Sequence, residues 1–141
     1  MKSKERNNVS VDISRAEEFA KLPQEDVYAV IDLAAQIPSY MKGYKPERYV
    51  QSNIMGAYNV LEYCRKVHAD RILFSTTVFD VSLSATNGAV LTPDMPYNFS
   101  YKGDHAVYVI TKNTAIEFMK HYYAEYGLKY FIFRFPTIYN L

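Results

Sequence analysis

Three short runs dominate the chain: residues 27–34 (VYAVIDLA), 71–75 (RILFS) and 129–135 (KYFIFRF). A strand that is apolar at nearly every position, rather than at alternate ones, is covered on both faces, as in a parallel sheet flanked by helices. The stretches between the runs have the other period. After Pro46, which suits a helix's first turn, apolar residues recur at Val50, Ile54, Ala57, Tyr58, Leu61 and Cys64, and predict a helix over 46–67. A second helix is predicted over 105–126, with Gly127 as its C′ residue. Near the start, 9–13 reads as a short strand, and Ser14 caps a helix through Leu22 with Glu17 completing a capping box; Pro23 stops it. Residues 36–45 and 80–104 read as loops, the second long enough to be functional or mobile, and Pro136 ends the last strand. Alternating strands and helices joined by right-handed crossovers define an α/β fold: a partial doubly wound, Rossmann-like parallel sheet with flanking helices.

Composition narrows the chemistry. The 141 residues form one domain with enough apolar content (49%) to build a core without staples. Lys and Arg number 16 against 15 Asp and Glu, so charge gives no case for nucleic acid or an anionic membrane. One cysteine, Cys64, allows neither an internal disulfide nor a thiolate metal cage, and no metal site is expected. No stretch approaches the apolar length of a membrane span, and the start lacks a secretory signal's apolar core. A cytoplasmic location is the expectation. The five glycines are scattered, so no Gly-rich phosphate loop lies within the chain.

Two constellations could carry chemistry. Tyr108 and Lys112 stand at i and i+4 on one helix face, which continues through Ala115, Met119 and Tyr122 toward the sheet. A lysine on such a face needs a partner or a task. An ammonium beside a phenol favours phenolate, and a tyrosine tuned toward neutrality is a general acid/base. Taken alone, the pair is better explained by a core Tyr108 with an outward-snorkelling Lys112. The second constellation, Ser75-Thr76-Thr77, ends a strand at its carboxyl edge, where open α/β sheets bind ligands. Strand-terminal hydroxyls also cap turns.

With these motifs in place, the chain resembles the NAD(P)-dependent epimerase/dehydratase family, the extended short-chain dehydrogenase/reductases, over nearly its whole length. Val11-Asp12-Ile13 looks like the family's adenine-contacting strand end. Leu33-Ala34-Ala35 resembles its strand end beside the cofactor's phosphates and ribose. Asn53-x-x-Gly56 with Asn59-Val60-Leu61-Glu62 looks like its Asn-x-x-Gly helix. Ser75-Thr76-Thr77 resembles its Ser-Ser pair, Tyr108 to Lys112 its Tyr-x-x-x-Lys, and Arg134 to Tyr139 its final strand end.

The resemblance implies NAD or NADP as cofactor, held by Asp12, Ile13, Leu33, Ala34, Ala35, Asn53, Tyr108, Lys112 and Pro136. It implies a nucleotide-linked sugar as small-molecule substrate. Tyr108 is then the acid/base, Lys112 lowers its pKa and binds the ribose, and a threonine hydroxyl holds the substrate oxygen. Counting from Arg71 favours Thr77, while counting from Phe74-Ser75 allows Thr76. A homodimer through 46–67 and 105–126 is also implied. In the family's sugar 4,6-dehydratases an Asp-Glu follows the catalytic Thr; here Val78-Phe79 or Thr77-Val78 follows, so epimerase or reductase chemistry is preferred. Asp32, Ala57 and Asn140 replace the usual His, Thr and Gly. The family's Gly-rich first turn and substrate domain are not within these residues, so the chain reads as an incomplete catalytic domain, inactive alone, with an exposed edge on the strand at 27–34. A non-catalytic interaction module of the same fold is the alternative.

Overall fold

A computed structural model describes residues 8–136 apart from Asn87. Three parallel strands, β1 (Ala29–Asp32), β2 (Arg71–Thr77) and β3 (Lys129–Phe135), form one sheet in the order β1-β2-β3. The register sets Asp32 beside Phe74 and Thr77 beside Phe135. One helical run crosses from β1 to β2: α1 (Pro46–Tyr49), a π-helical segment (Val50–Met55) and α2 (Gly56–Lys66). The second crossover is α3 (Gly103–Tyr126), closed by Gly127 in the left-handed conformation at φ 71°.

Two successive right-handed crossovers in one direction put both helices on the same side of the sheet, and burial follows that rule. Ile72 and Phe74 lie in a core with Val60, Leu61 and Cys64 of α2 and Ala115, Ile116 and Met119 of α3. The alternate residues face away: Ile31, Leu33, Phe131, Phe133 and Phe135 are exposed. The apolar runs thus read correctly as strands of a parallel sheet, while among the described residues only one face of that sheet is covered.

Several expectations are corrected. Residues 9–13 form no strand; Ser14 donates its N–H and hydroxyl to Asp12 Oδ1 (3.0 and 2.7 Å), an Asx turn that competes with pairing. That same contact takes Ser14 away from capping. The following helix is a six-residue 3-10 turn, Ala16–Lys21, with no side-chain cap, and Glu17 pairs with Arg15 instead of closing a capping box. β1 is shorter than its apolar run because Asp32 Oδ1 accepts the Ala34 N–H at 3.0 Å and turns the chain. Val50, predicted on the buried face, is exposed while Tyr49 is buried, because the wider π turn rotates the helix face at that point. The loop over 80–104 begins with a 3-10 turn, Val78–Val81, and is tied back by Asn98 N–H to the Asp80 carbonyl (2.8 Å) and Arg134 to the Thr92 carbonyl (3.2 Å). Tyr139 and Asn140 lie outside the described residues.

Candidate active site at the carboxyl edge of the sheet

Every residue singled out from the sequence and described by the structure, Asp12, Ile13 and Pro136 apart, comes from a helix, from the end of β2 or from the turn after β1. Lys112 is the most unusual. Its side chain is 1% exposed, its ammonium has no hydrogen-bond partner, and Nζ lies 3.8 Å from the centroid of the Phe74 ring. Burial lowers its pKa to about 8, with the Asp32 carboxylate acting against that shift. Tyr108, one turn earlier, is half-buried, and burial raises its phenol. The expected lowering of Tyr108 by Lys112 is therefore not seen in this structure; desolvation prevails and the ammonium sits over Phe74 instead.

The threonine pair divides. Thr77 accepts the Phe79 N–H at 3.2 Å and so caps the turn that follows β2. Thr76 is buried on the helix-covered face, two residues beyond Phe74, and its hydroxyl has no partner. Of the two, Thr76 has the uncommitted hydroxyl.

Asn53 acts as a clamp in this structure. Its carboxamide accepts the Gln36 N–H (2.7 Å) and donates to the Gln36 carbonyl (3.1 Å) and to Thr111 Oγ1 (3.0 Å), so all its strong contacts lie within the chain. It thereby fixes the segment after Leu33-Ala34-Ala35. Two residues that sequence reasoning missed hold the same segment. Tyr49 donates to the Ile37 carbonyl at 3.2 Å. Asp104 Oδ2 accepts the N–H groups of Ser39 (2.8 Å) and Met41 (2.9 Å), and these bonds, Met41's first, pull its carboxyl down. Tyr40 and Met41 have φ of 53° and 63°, a left-handed turn that non-glycine residues adopt only when held. An acidic residue in a helix's first turn is visible in the sequence; its partners 63 and 65 residues away are not.

Ile13, Val30, Asp32, Leu33 and Ala34 line an open cleft of about 340 Å³ beside β1. Asp12 is exposed and engaged with Ser14, and Pro136 is exposed at the end of β3. A larger cleft, about 490 Å³, lies among Cys64, His68, Gly127 and Lys129, at the amino ends of β2 and β3 and away from this cluster. The donors present suit a dinucleotide: a buried ammonium and a buried hydroxyl without partners are what ribose or substrate hydroxyls would satisfy. Among the described residues no group of three His, Cys, Asp or Glu could hold a metal, and no helix is long and apolar enough to cross a membrane.

A three-stranded parallel sheet with crossover helices and its polar cluster at the strands' carboxyl ends defines a Rossmann-like α/β domain. The NAD dependent epimerase/dehydratase family model matches residues 1–140, and the chain belongs to that family. It is 29% identical over 138 residues to a Methanocaldococcus jannaschii protein provisionally named UDP-glucose 4-epimerase, covering 94% of this chain and 41% of that protein. Its fold is similar to that of Thermus thermophilus UDP-glucose 4-epimerase in complex with NAD (TM-score 0.73, 22% identity, 95% of this chain and 44% of that one). It is also similar to RMD from Pseudomonas aeruginosa complexed with NADPH (TM-score 0.77, 18% identity, 92% and 42%). The chain thus spans about two fifths of the length of these relatives.

Proposed function

We propose that residues 1–141 are the Rossmann-like catalytic part of an NAD(P)-dependent epimerase or reductase acting on a nucleotide-linked sugar. The observation that carries this is the pair of buried, unpartnered polar atoms, Lys112 Nζ and Thr76 Oγ1, on one sheet face at its carboxyl edge. Bound NAD(P) supplies the acceptor for a hydride from the sugar carbon that bears the reacting hydroxyl. Tyr108 Oη takes the proton of that hydroxyl, so the carbon becomes a carbonyl, and returns it when the carbonyl is reduced. Burial keeps Tyr108 a neutral phenol in this structure, so its phenolate needs a cation brought to it. Lys112, one turn along α3, is that cation. It also donates to ribose hydroxyls. The Thr76 hydroxyl, or that of Thr77, donates to the substrate oxygen. Leu33, Ala34 and Ala35, which lead into the segment that Asn53, Tyr49 and Asp104 hold, face the cofactor.

The exposed aromatic residues of α2 and α3, Tyr58 and Tyr123, suit a homodimer through the two helices. A non-catalytic module of the same fold is the second reading.

One variant separates the two. In the protein as its gene encodes it, UDP-sugar turnover with added NAD should fall about 10²-fold or more in Tyr108→Phe, the usual scale of lost acid/base catalysis. Unchanged turnover, or none in the parent protein, leaves the non-catalytic reading.

A further inference from the structure

Lys112 is a charge taken out of water with nothing to accept its hydrogen bonds, and such a group either sheds its proton or is held charged by an opposite charge within reach. In parallel strands, residues paired in register project their side chains to the same face. Asp32 on β1 is paired with Phe74 on β2, and the Lys112 ammonium lies over the Phe74 ring. Asp32 and the Lys112 ammonium therefore lie over neighbouring strands on one face of the sheet, without a direct ion pair between them in this structure. Asp32 is itself 5% exposed, so no water screens it fully.

We propose that Asp32 is the counter-ion of Lys112, a positioning residue that keeps the buried ammonium charged and aimed across the Phe74 ring toward the carboxyl edge. This rests on the reading of Lys112 as the cation serving Tyr108. The electrostatics agree. Burial raises the Asp32 carboxyl and the Lys112 ammonium lowers it, while burial lowers Lys112 and Asp32 raises it. The other ionisable groups on the packed elements do not compete: Cys64 of α2 is a neutral thiol, pushed up to about 12 by burial and by Asp32, and Tyr108 of α3 is a neutral phenol. β2 offers Phe74 and Thr76 there, and the π segment Asn53, none of which ionises.

Asn is the informative replacement at Asp32, because its carbonyl oxygen still accepts the Ala34 N–H while its charge is gone. The test is a titration of lysine ¹³Cε resonances in the 141-residue protein, with Lys112 assigned by its absence in Lys112→Met. In Asp32→Asn the Lys112 midpoint should fall by about one pH unit, the scale of losing a charge partner at partial burial. An unmoved midpoint overturns the proposal. If Asp32→Asn does not fold, the wild-type Asp32 ¹³Cγ resonance should show a second inflection at the pH where Lys112 titrates, and a single-step curve overturns it. No cofactor or substrate enters this measurement, so its outcome is separate from the fate of the proposed activity. In the protein as its gene encodes it, Asp32→Asn should also move the alkaline limb of turnover to lower pH.

Discussion

Ile13 lies so close to Gly56 that a methyl group on that glycine would stand 2.6 Å from Ile13 Cδ1 and 2.8 Å from Cγ1. The same stretch is tied to α2 a turn later, where Asn59 Nδ2 donates to the Ile13 carbonyl at 2.9 Å. Gly56 is buried in the helix, and its missing side chain is the space that Ile13 fills.

Gly56→Ala should therefore destabilise the protein by about 1–3 kcal/mol, the range for overpacking a filled site. The obstructing atoms are the end of one side chain, so Gly56→Ala/Ile13→Val should recover part of the loss. Urea midpoints of the two single variants and the double variant give the coupling. Strictly additive losses would show that the two residues do not meet.

Loss of Asp104 should free the turn after β1. Asp104→Ala leaves the N–H groups of Ser39 and Met41 without their acceptor and should cost about 3 kcal/mol, two bonds to a charged group at the low end of their range. Amide hydrogen exchange at those two positions should quicken well beyond the change elsewhere. Protection that falls evenly across the chain would contradict this local role.

Much of this fold is legible in the sequence and some is not, for separable reasons. β2, β3 and α3 can be read nearly to the residue, because their apolar period and the Gly127 stop are local signals. Val9, Val11 and Ile13 alternate like a strand, but what Ile13 meets is Gly56 of a helix, and alternation cannot say whether the partner is a strand. Val50 is misplaced because a 3.6-residue count assumes an unbroken α-helix, and the π turn breaks it. The spacing of Tyr108 and Lys112 is visible in the sequence. That the ammonium rests on Phe74 rather than on the phenol depends on how α3 packs on β2, which no short window contains.

Glu62 gives the acid sensitivity a sign. Arg65 donates to both its oxygens at 2.9 Å, Tyr122 adds a hydrogen bond at 2.7 Å, and together, against the cost of burial, they hold its carboxyl at about 2, below the usual 4.5. A depressed folded-state pKa contributes stability above pH 4.5 that is lost as pH falls toward 2. Glu62→Gln should thus be less stable than wild type by about 1 kcal/mol at neutral pH, and the gap should close in acid. A gap of constant size between neutral and strongly acidic solution would rule this out.

Removing the two buried charges together should stabilise. Lys112→Met combined with Asp32→Asn removes both, replacing an ammonium without hydrogen bonds by an apolar chain of similar length while the Asn carbonyl still accepts the Ala34 N–H. The melting temperature of the double variant should rise, by the equivalent of about 1 kcal/mol or more, while any turnover is lost. A clear fall in melting temperature would mean that the two charges hold this edge together.

The uncovered side of the sheet gives the molecule two unlike surfaces. Helices pack on one; on the other, Ile31, Leu33, Phe131, Phe133 and Phe135 face outward, with the Arg71 guanidinium over the Phe131 ring and the rings of Phe133 and Phe135 6.0 Å apart and 11° from parallel. A plate with two such sides should act as a surfactant. Spread at an air–water boundary it should lie flat, phenylalanines to the air and helices wetted, and lower surface tension at concentrations where a protein of even polarity leaves it unchanged.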